Sequence, residues 1–360
     1  MMVSGCVKPY APSLQITDNS YLVIDGLLNA DSSSIIRLSR TRNLSDTTPS
    51  IPEKAAQVFI EGQTGSLYAF QSTAEGEYTS ENSSLNPLDK YRLKIITANG
   101  KQYLSDYLEV KQTPDIDSLH WEQHDAIFIY VNTHDPSSQS RYYRWEFTET
   151  VEYHAWYESY LDFQNGQLVF LNPDQYRQIC FKTFPSTDIL VASSAALSED
   201  VISHQLLQKI PNDNSKISQR YSIEVRQYVL TPDAYQFWQI LKQNSEQTGG
   251  IFDPQPSQLK SNIHCTTNPQ EPVIGFLSAS SVKTKRLFIR NGELTDRKDA
   301  IDKACDPIIV ADFDSLPYYL GSGALLPAYL LGRSGPIALA PNICVDCRLM
   351  GGVTKKPSFW

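Results

Sequence analysis

No stretch downstream of Cys6 approaches the ~20 consecutive apolar residues that a transmembrane helix needs, which excludes a helical membrane span there. A GxxxxGKS/T loop and a strand-linked GxGxxG are both missing, so neither of the common phosphate cradles is present. Basic residues are in deficit. With 31 Lys and Arg against 40 Asp and Glu, a net charge of −9 and a pI near 5.2, the chain repels nucleic-acid phosphate and anionic lipid alike. There is no internal repeat and no low-complexity tract, which excludes solenoids and arrays.

Aromatic residues are plentiful by contrast. Twenty Tyr, 14 Phe and 5 Trp suit pleated, half-buried sheets and flat contact surfaces. At 360 residues two or three domains are expected. Short apolar segments recur at strand spacing from Tyr21 to Val110, with Asn99-Gly100 as a hairpin turn. Pro87 to Leu93 resembles the tyrosine corner of immunoglobulin-like folds, centred on Tyr91. Residues 20–111 therefore read as an immunoglobulin-like β-sandwich, after a tether over 1–19. Residues 112–360 read as a larger β-rich domain carrying one or two helices.

The clearest segment of that second region begins at Arg220. Tyr221, Ile223, Val225 and Val229 alternate with polar neighbours as in a strand with one buried face. Thr231 can cap, Pro232 fits the first helical position, and Ala234, Phe237, Trp238 and Leu241 form one stripe, which predicts a helix over 231–248. Further strands are expected at Val273–Leu277 and Arg286–Ile289, a short helix within Ser193–Leu207, and long loops over 291–341.

Near the N-terminus Val3-Ser4-Gly5-Cys6 fits a lipobox, with Cys6 as the lipid-attachment residue, although only five residues precede it where a signal needs about 7–15 apolar ones. Cys180, Cys265, Cys305, Cys344 and Cys347 then remain, an odd number that allows two disulfides and one free thiol in an exported protein. Cys344 and Cys347 have CxxC spacing in a loop context rather than at a helix start, and a disulfide from Cys305 to this pair is the preferred reading over redox chemistry or zinc.

No catalytic set stands out. In His120-Trp121-Glu122-Gln123-His124 the Glu is one place late for a zinc-protease helix, and on a strand the two His lie about 13 Å apart, too far for one ion. No cofactor and no metal are expected. The aromatic run containing Tyr153, Trp156 and Tyr157, the irregular segment Phe252-Asp253-Pro254-Gln255-Pro256 and the 318–335 loops are the candidate partner or ligand contacts.

Several segments carry a resemblance. Arg220 to Tyr228, Ala234 to Trp238, Gly250 to Pro256 and Asn262 to Cys265 lead to a closing Cys344-Val345-Asp346-Cys347-Arg348, Gly351-Gly352 and Lys356 to Trp360. With Leu22 to Gly26 added, the chain resembles the family called domain of unknown function 4249. The resemblance implies a Bacteroidota outer-membrane lipoprotein encoded beside a TonB-dependent, SusC-like β-barrel, and brings no catalytic residues with it. The expectation built on this is an accessory, non-catalytic subunit of that barrel in substrate capture or gating, at the outer membrane and on its cell-surface side. Val7-Lys8-Pro9-Tyr10 departs from the acidic run that surface-displayed lipoproteins of these bacteria carry after the anchored cysteine. The rival expectation is a free-standing glycan- or peptide-binding lipoprotein using the aromatics between Tyr142 and Tyr160. A hydrolase with a scattered site ranks last.

Overall fold

The computed structural model describes residues 20–42, 50–81, 84–246, 259–295, 303–332 and 335–360. The fold is mainly β, and the chain divides into two compact units, each made of two chain segments: residues 1–112 with 230–281, and 113–229 with 282–360.

The first unit contains the expected sandwich. Leu22, Ile24, Leu38, Val58, Ile60, Leu93 and Ile95 are buried together with Tyr78, Tyr91 and Tyr103. Alternation creates this core: in Lys90–Ile96 every second residue is buried. The tyrosine corner is present, with the Tyr91 hydroxyl accepting from the Asn86 N–H at 2.8 Å. The helix Pro232–Glu246 follows its local signals, Thr231 Oγ1 accepting from the Ala234 N–H at 3.2 Å.

A correction concerns the domain limits, because residues 230–281 belong to the sandwich and not to the second region. The returning segment pairs at both ends of its strand path. Ile263–Cys265 lies antiparallel to Gln102–Ser105, and Val273–Ile274 and Ser278–Ser280 lie parallel to Leu22–Asn29. Strand edges left open are templates for mispairing, and a distant segment that covers both removes the hazard. Between its two short strands Gly275 has φ +127°, and a Cβ there would sit 2.1 Å from the Ile24 carbonyl oxygen, so no other residue fits.

In the second unit two sheets face each other. Ile116–Gln123, Ala126–His134 and Val201–Pro211 form a three-stranded sheet. The opposing sheet runs Ile179–Pro185, Tyr142–His154, Arg220–Val229, Lys283–Arg290, with Leu190–Ser193 also paired to Tyr142–His154. Their shared core holds Ile127, Ile129 and Val131 from one side and Trp145, Phe147, Ile223 and Val225 from the other. Arg220–Val229 is buried on more than its expected face, Ser222 and Tyr228 included, because strands flank it on both sides. The buried Gln227 side chain is matched: it accepts from Trp145 Nε1 at 2.8 Å and donates to the Pro114 carbonyl at 2.9 Å.

Two local expectations fail in this unit. The short helix placed in Ser193–Leu207 is instead the end of the strand Leu190–Ser193, a turn, and the start of the strand Val201–Pro211. Register shifts opposite Ile129/Tyr130 and Val131/Thr133 break the alternation, leaving Ile202, Leu207 and Ile210 as the buried positions, so the period of two that marks a strand is lost. Residues 291–341 are not merely loops, since Ile308–Val310 and Leu325–Leu330 flank Ile337–Pro341 in a further sheet, beside the helical turn Leu316–Leu320. Pro327 and a register shift beside it disguise that strand in the sequence.

Candidate functional site

Two places in the second unit gather chemistry-bearing side chains, and they use them differently. The first is the cystine region. Cys180 pairs with Cys347 and Cys305 with Cys344, while Cys265 is a buried free thiol in the first unit. Two disulfides and one thiol match the odd count, and Cys305 joins the C-terminal pair as expected. The CxxC cysteines therefore staple two different segments and do not bond to each other. Asp346 between them accepts from Arg348 Nε at 2.9 Å and Nη2 at 2.7 Å. Burial pushes the Asp346 carboxyl up, but the Arg348 guanidinium and backbone N–H outweigh it and hold the group below its ordinary value.

The conspicuous aromatics belong to this staple. Tyr153 donates its hydroxyl to the Cys347 carbonyl at 2.9 Å, and Tyr157 donates to the Cys305 carbonyl at 2.9 Å. Both are half-buried packing residues with their polar ends committed, whereas Trp156 is 53% exposed. Of the remaining sequence candidates, Cys6 and Phe252, Asp253, Pro254, Gln255 and Pro256 lie outside the described residues. The 318–335 segment is largely the strand Leu325–Leu330 and its flanks, with Tyr318 85% exposed.

The second place is the outer face of the three-stranded sheet. Alternation sends Ile127, Ile129 and Val131 inward, and Phe128, Tyr130 and Asn132 outward. On the neighbouring strand His120 and Glu122 point outward beside Tyr130 and Phe128, their cross-strand partners. On the other neighbour the bulge at Val201–Pro211 turns out His204, whose φ of 54° is in the left-handed region. Backbones two strands apart are about 9.5 Å apart, yet the rings of His120 and His204 meet at 4.8 Å between centroids above Tyr130.

Glu122 sits among three imidazoles. Its Oε1 lies 3.1 Å from His204 Nε2 and 3.9 Å from His120 Nε2, and its Oε2 lies 3.5 Å from His124 Nε2. The hydrogen bond from His204 is the main reason its carboxyl stays below the ordinary glutamate value. One donor atom each from His120, Glu122 and His204 lie within 4.8 Å of one another. Spacing along one strand does exclude an ion shared by His120 and His124 alone. The third group, His204, lies 82 positions after Glu122 on another strand, and the only sequence signal was the pair His120 and Glu122 two apart on one face.

The unit of residues 1–112 and 230–281 contributes a cavity of 480 Å³, lined by Asp233, Phe237, Ile240, Asn262 and Phe276.

Comparison with known proteins yields one informative match. No curated protein matches the chain. Among solved structures, a DUF4785 family protein from Legionella pneumophila shares 8% identity over 57% of this chain and 52% of its own, with a TM-score of 0.18. The adhesin InvE of Yersinia pseudotuberculosis shares 12% over 59% of this chain and 55% of its own, at 0.16. The chain thus spans about half the length of each, and scores this low carry no structural argument. The family model described as domain of unknown function (DUF4249) matches residues 7–286, and the chain belongs to that family.

Proposed function

We propose that this chain is a non-catalytic outer-membrane lipoprotein, anchored through Cys6, that acts as the accessory subunit of a TonB-dependent, SusC-like β-barrel in substrate capture or gating. The observation that carries the reading is the pair of buried disulfides, Cys180–Cys347 and Cys305–Cys344. Disulfides of this kind persist outside the reducing cytosol, which supports an envelope location. An anchor shared with the barrel's membrane raises the local concentration of the two, so a modest interface suffices.

A second reading, a free-standing glycan or peptide binder, is favoured by one observation. Phe128 and Tyr130 stack at 6.4 Å on the outer face, and Lys209 lies over Phe128 at 5.0 Å, which gathers aromatic rings and a cation at one surface. Purification of the full-length lipidated protein from its own outer membrane in mild detergent, with mass spectrometry of what accompanies it, separates the two. A stoichiometric β-barrel is the expected result. Recovery of the protein alone, with its lipid intact, overturns the subunit reading in favour of the binder.

A further inference from the structure

We infer that His120, Glu122 and His204 form a binding site for a divalent first-row transition-metal ion on the outer face of the three-stranded sheet. Two imidazoles and one carboxylate are borderline donors of the kind that take zinc, copper, nickel or cobalt, whereas calcium and magnesium call for oxygen ligands. Zinc bound at about 2.0–2.1 Å requires donor atoms roughly 3.3 Å apart in a tetrahedral arrangement. Glu122 Oε1 already meets His204 Nε2 at 3.1 Å and His120 Nε2 at 3.9 Å, and all three donors fall within 4.8 Å. Small side-chain rotations complete the closure. With side-chain exposures of 31, 39 and 56%, the three groups leave one side of the ion open to water.

The surroundings organise these ligands. Asn132 Oδ1 accepts from the His204 backbone N–H at 2.7 Å, which holds the left-handed bulge that aims the ring. A non-glycine residue kept in that conformation costs of order 1–3 kcal/mol, and such strain concentrates at functional positions. The same amide places Nδ2 2.8 Å from Ser118 Oγ and 3.3 Å from His120 Nδ1. One side chain thus holds both residues in place, His204 through its backbone and His120 through its ring.

That amide also determines the tautomer. Because Oδ1 must face the His204 N–H, Nδ2 donates toward His120 Nδ1, and neutral His120 carries its proton on Nε2, facing Glu122. An ion entering at Nε2 displaces this proton, and a neutral imidazole then needs Nδ1–H with an acceptor beside it. A carboxylate at position 132 would supply that acceptor and keep the bond to the His204 N–H.

Untagged full-length protein, stripped with chelator and its disulfides intact, is titrated with zinc chloride by calorimetry. The expected result is saturable binding of one equivalent. Glu122→Gln keeps the shape of the side chain, and His204→Asn keeps a residue that tolerates the left-handed bulge. Each is expected to weaken binding by about 100-fold or more, beyond the 10–100-fold typical of outer-shell changes. Asn132→Asp is expected to tighten it by about tenfold, a gain that misfolding would not produce. The two-donor pairs His134–Asp117 and His264–Asp106 serve as internal controls. No one-equivalent binding by the parent protein, or binding unchanged in both ligand variants, overturns the site. Absence of a gain in Asn132→Asp removes His120 from the ligand set and overturns the three-ligand arrangement.

Discussion

The cystine region and the histidine face lie in one unit, and they invert what their sequences advertise. Tyr153, Trp156 and Tyr157 form a dense aromatic run, yet both tyrosine hydroxyls are used up on carbonyls of disulfide cysteines. His120, Glu122 and His204 are scattered over 85 positions, yet their donor atoms converge at the surface with side chains still open to solvent. Aromatic density along one strand reflects cross-strand packing, whereas convergence from separate strands needs a dedicated device. Here the device is a bulge in a left-handed conformation, held by Asn132.

The contrast predicts a stability map opposite to the binding map. The largest effect belongs to the Cys180–Cys347 link, which closes 167 positions of chain. Replacing both cysteines with Ala is expected to cost about 2–5 kcal/mol in denaturant unfolding, with zinc stoichiometry unchanged wherever the protein remains folded. Loss of zinc binding under folded conditions would break the separation of the two regions.

A smaller effect is expected from Tyr157→Phe. It removes one hydroxyl and leaves the Cys305 carbonyl without that donor, at a cost of about 0.5–1.5 kcal/mol and with no change in ligand binding. A change in binding without a change in stability would restore the 153–160 run as a contact surface. The smallest effect on stability is expected at His204→Gly. Glycine relieves the positive φ, so thermal or denaturant unfolding should stay within about 0.5 kcal/mol of the parent while zinc binding disappears. A cost above about 2 kcal/mol would mean that the imidazole is a structural part of the sheet.

Legibility follows the range of the interaction. Thr231 and Pro232 start their helix through contacts within one turn, and Pro87 to Leu93 forms its corner through Tyr91 bonding to Asn86, so both were readable locally. The strands of 308–341 were not, because Pro327 and its register shift hide the alternation that pairing imposes. Nor was the return of 230–281 to the first unit. Nothing in the composition of Val273–Ser280 says that its partner is Leu22–Asn29, some 250 positions earlier.

The amino-acid sequence by itself determined the mainly β character, the helix after Thr231 and the family, and it allowed two disulfides with one thiol left over. These rest on period, on caps and on chemistry carried by neighbouring residues. Only the tertiary structure decided which cysteines meet, which strands close the sandwich and which imidazole joins Glu122. Each of those depends on backbone pairing between distant segments. A register shift of one or two residues turns His204 toward Glu122, and it is set by hydrogen bonds between strands rather than by any local pattern.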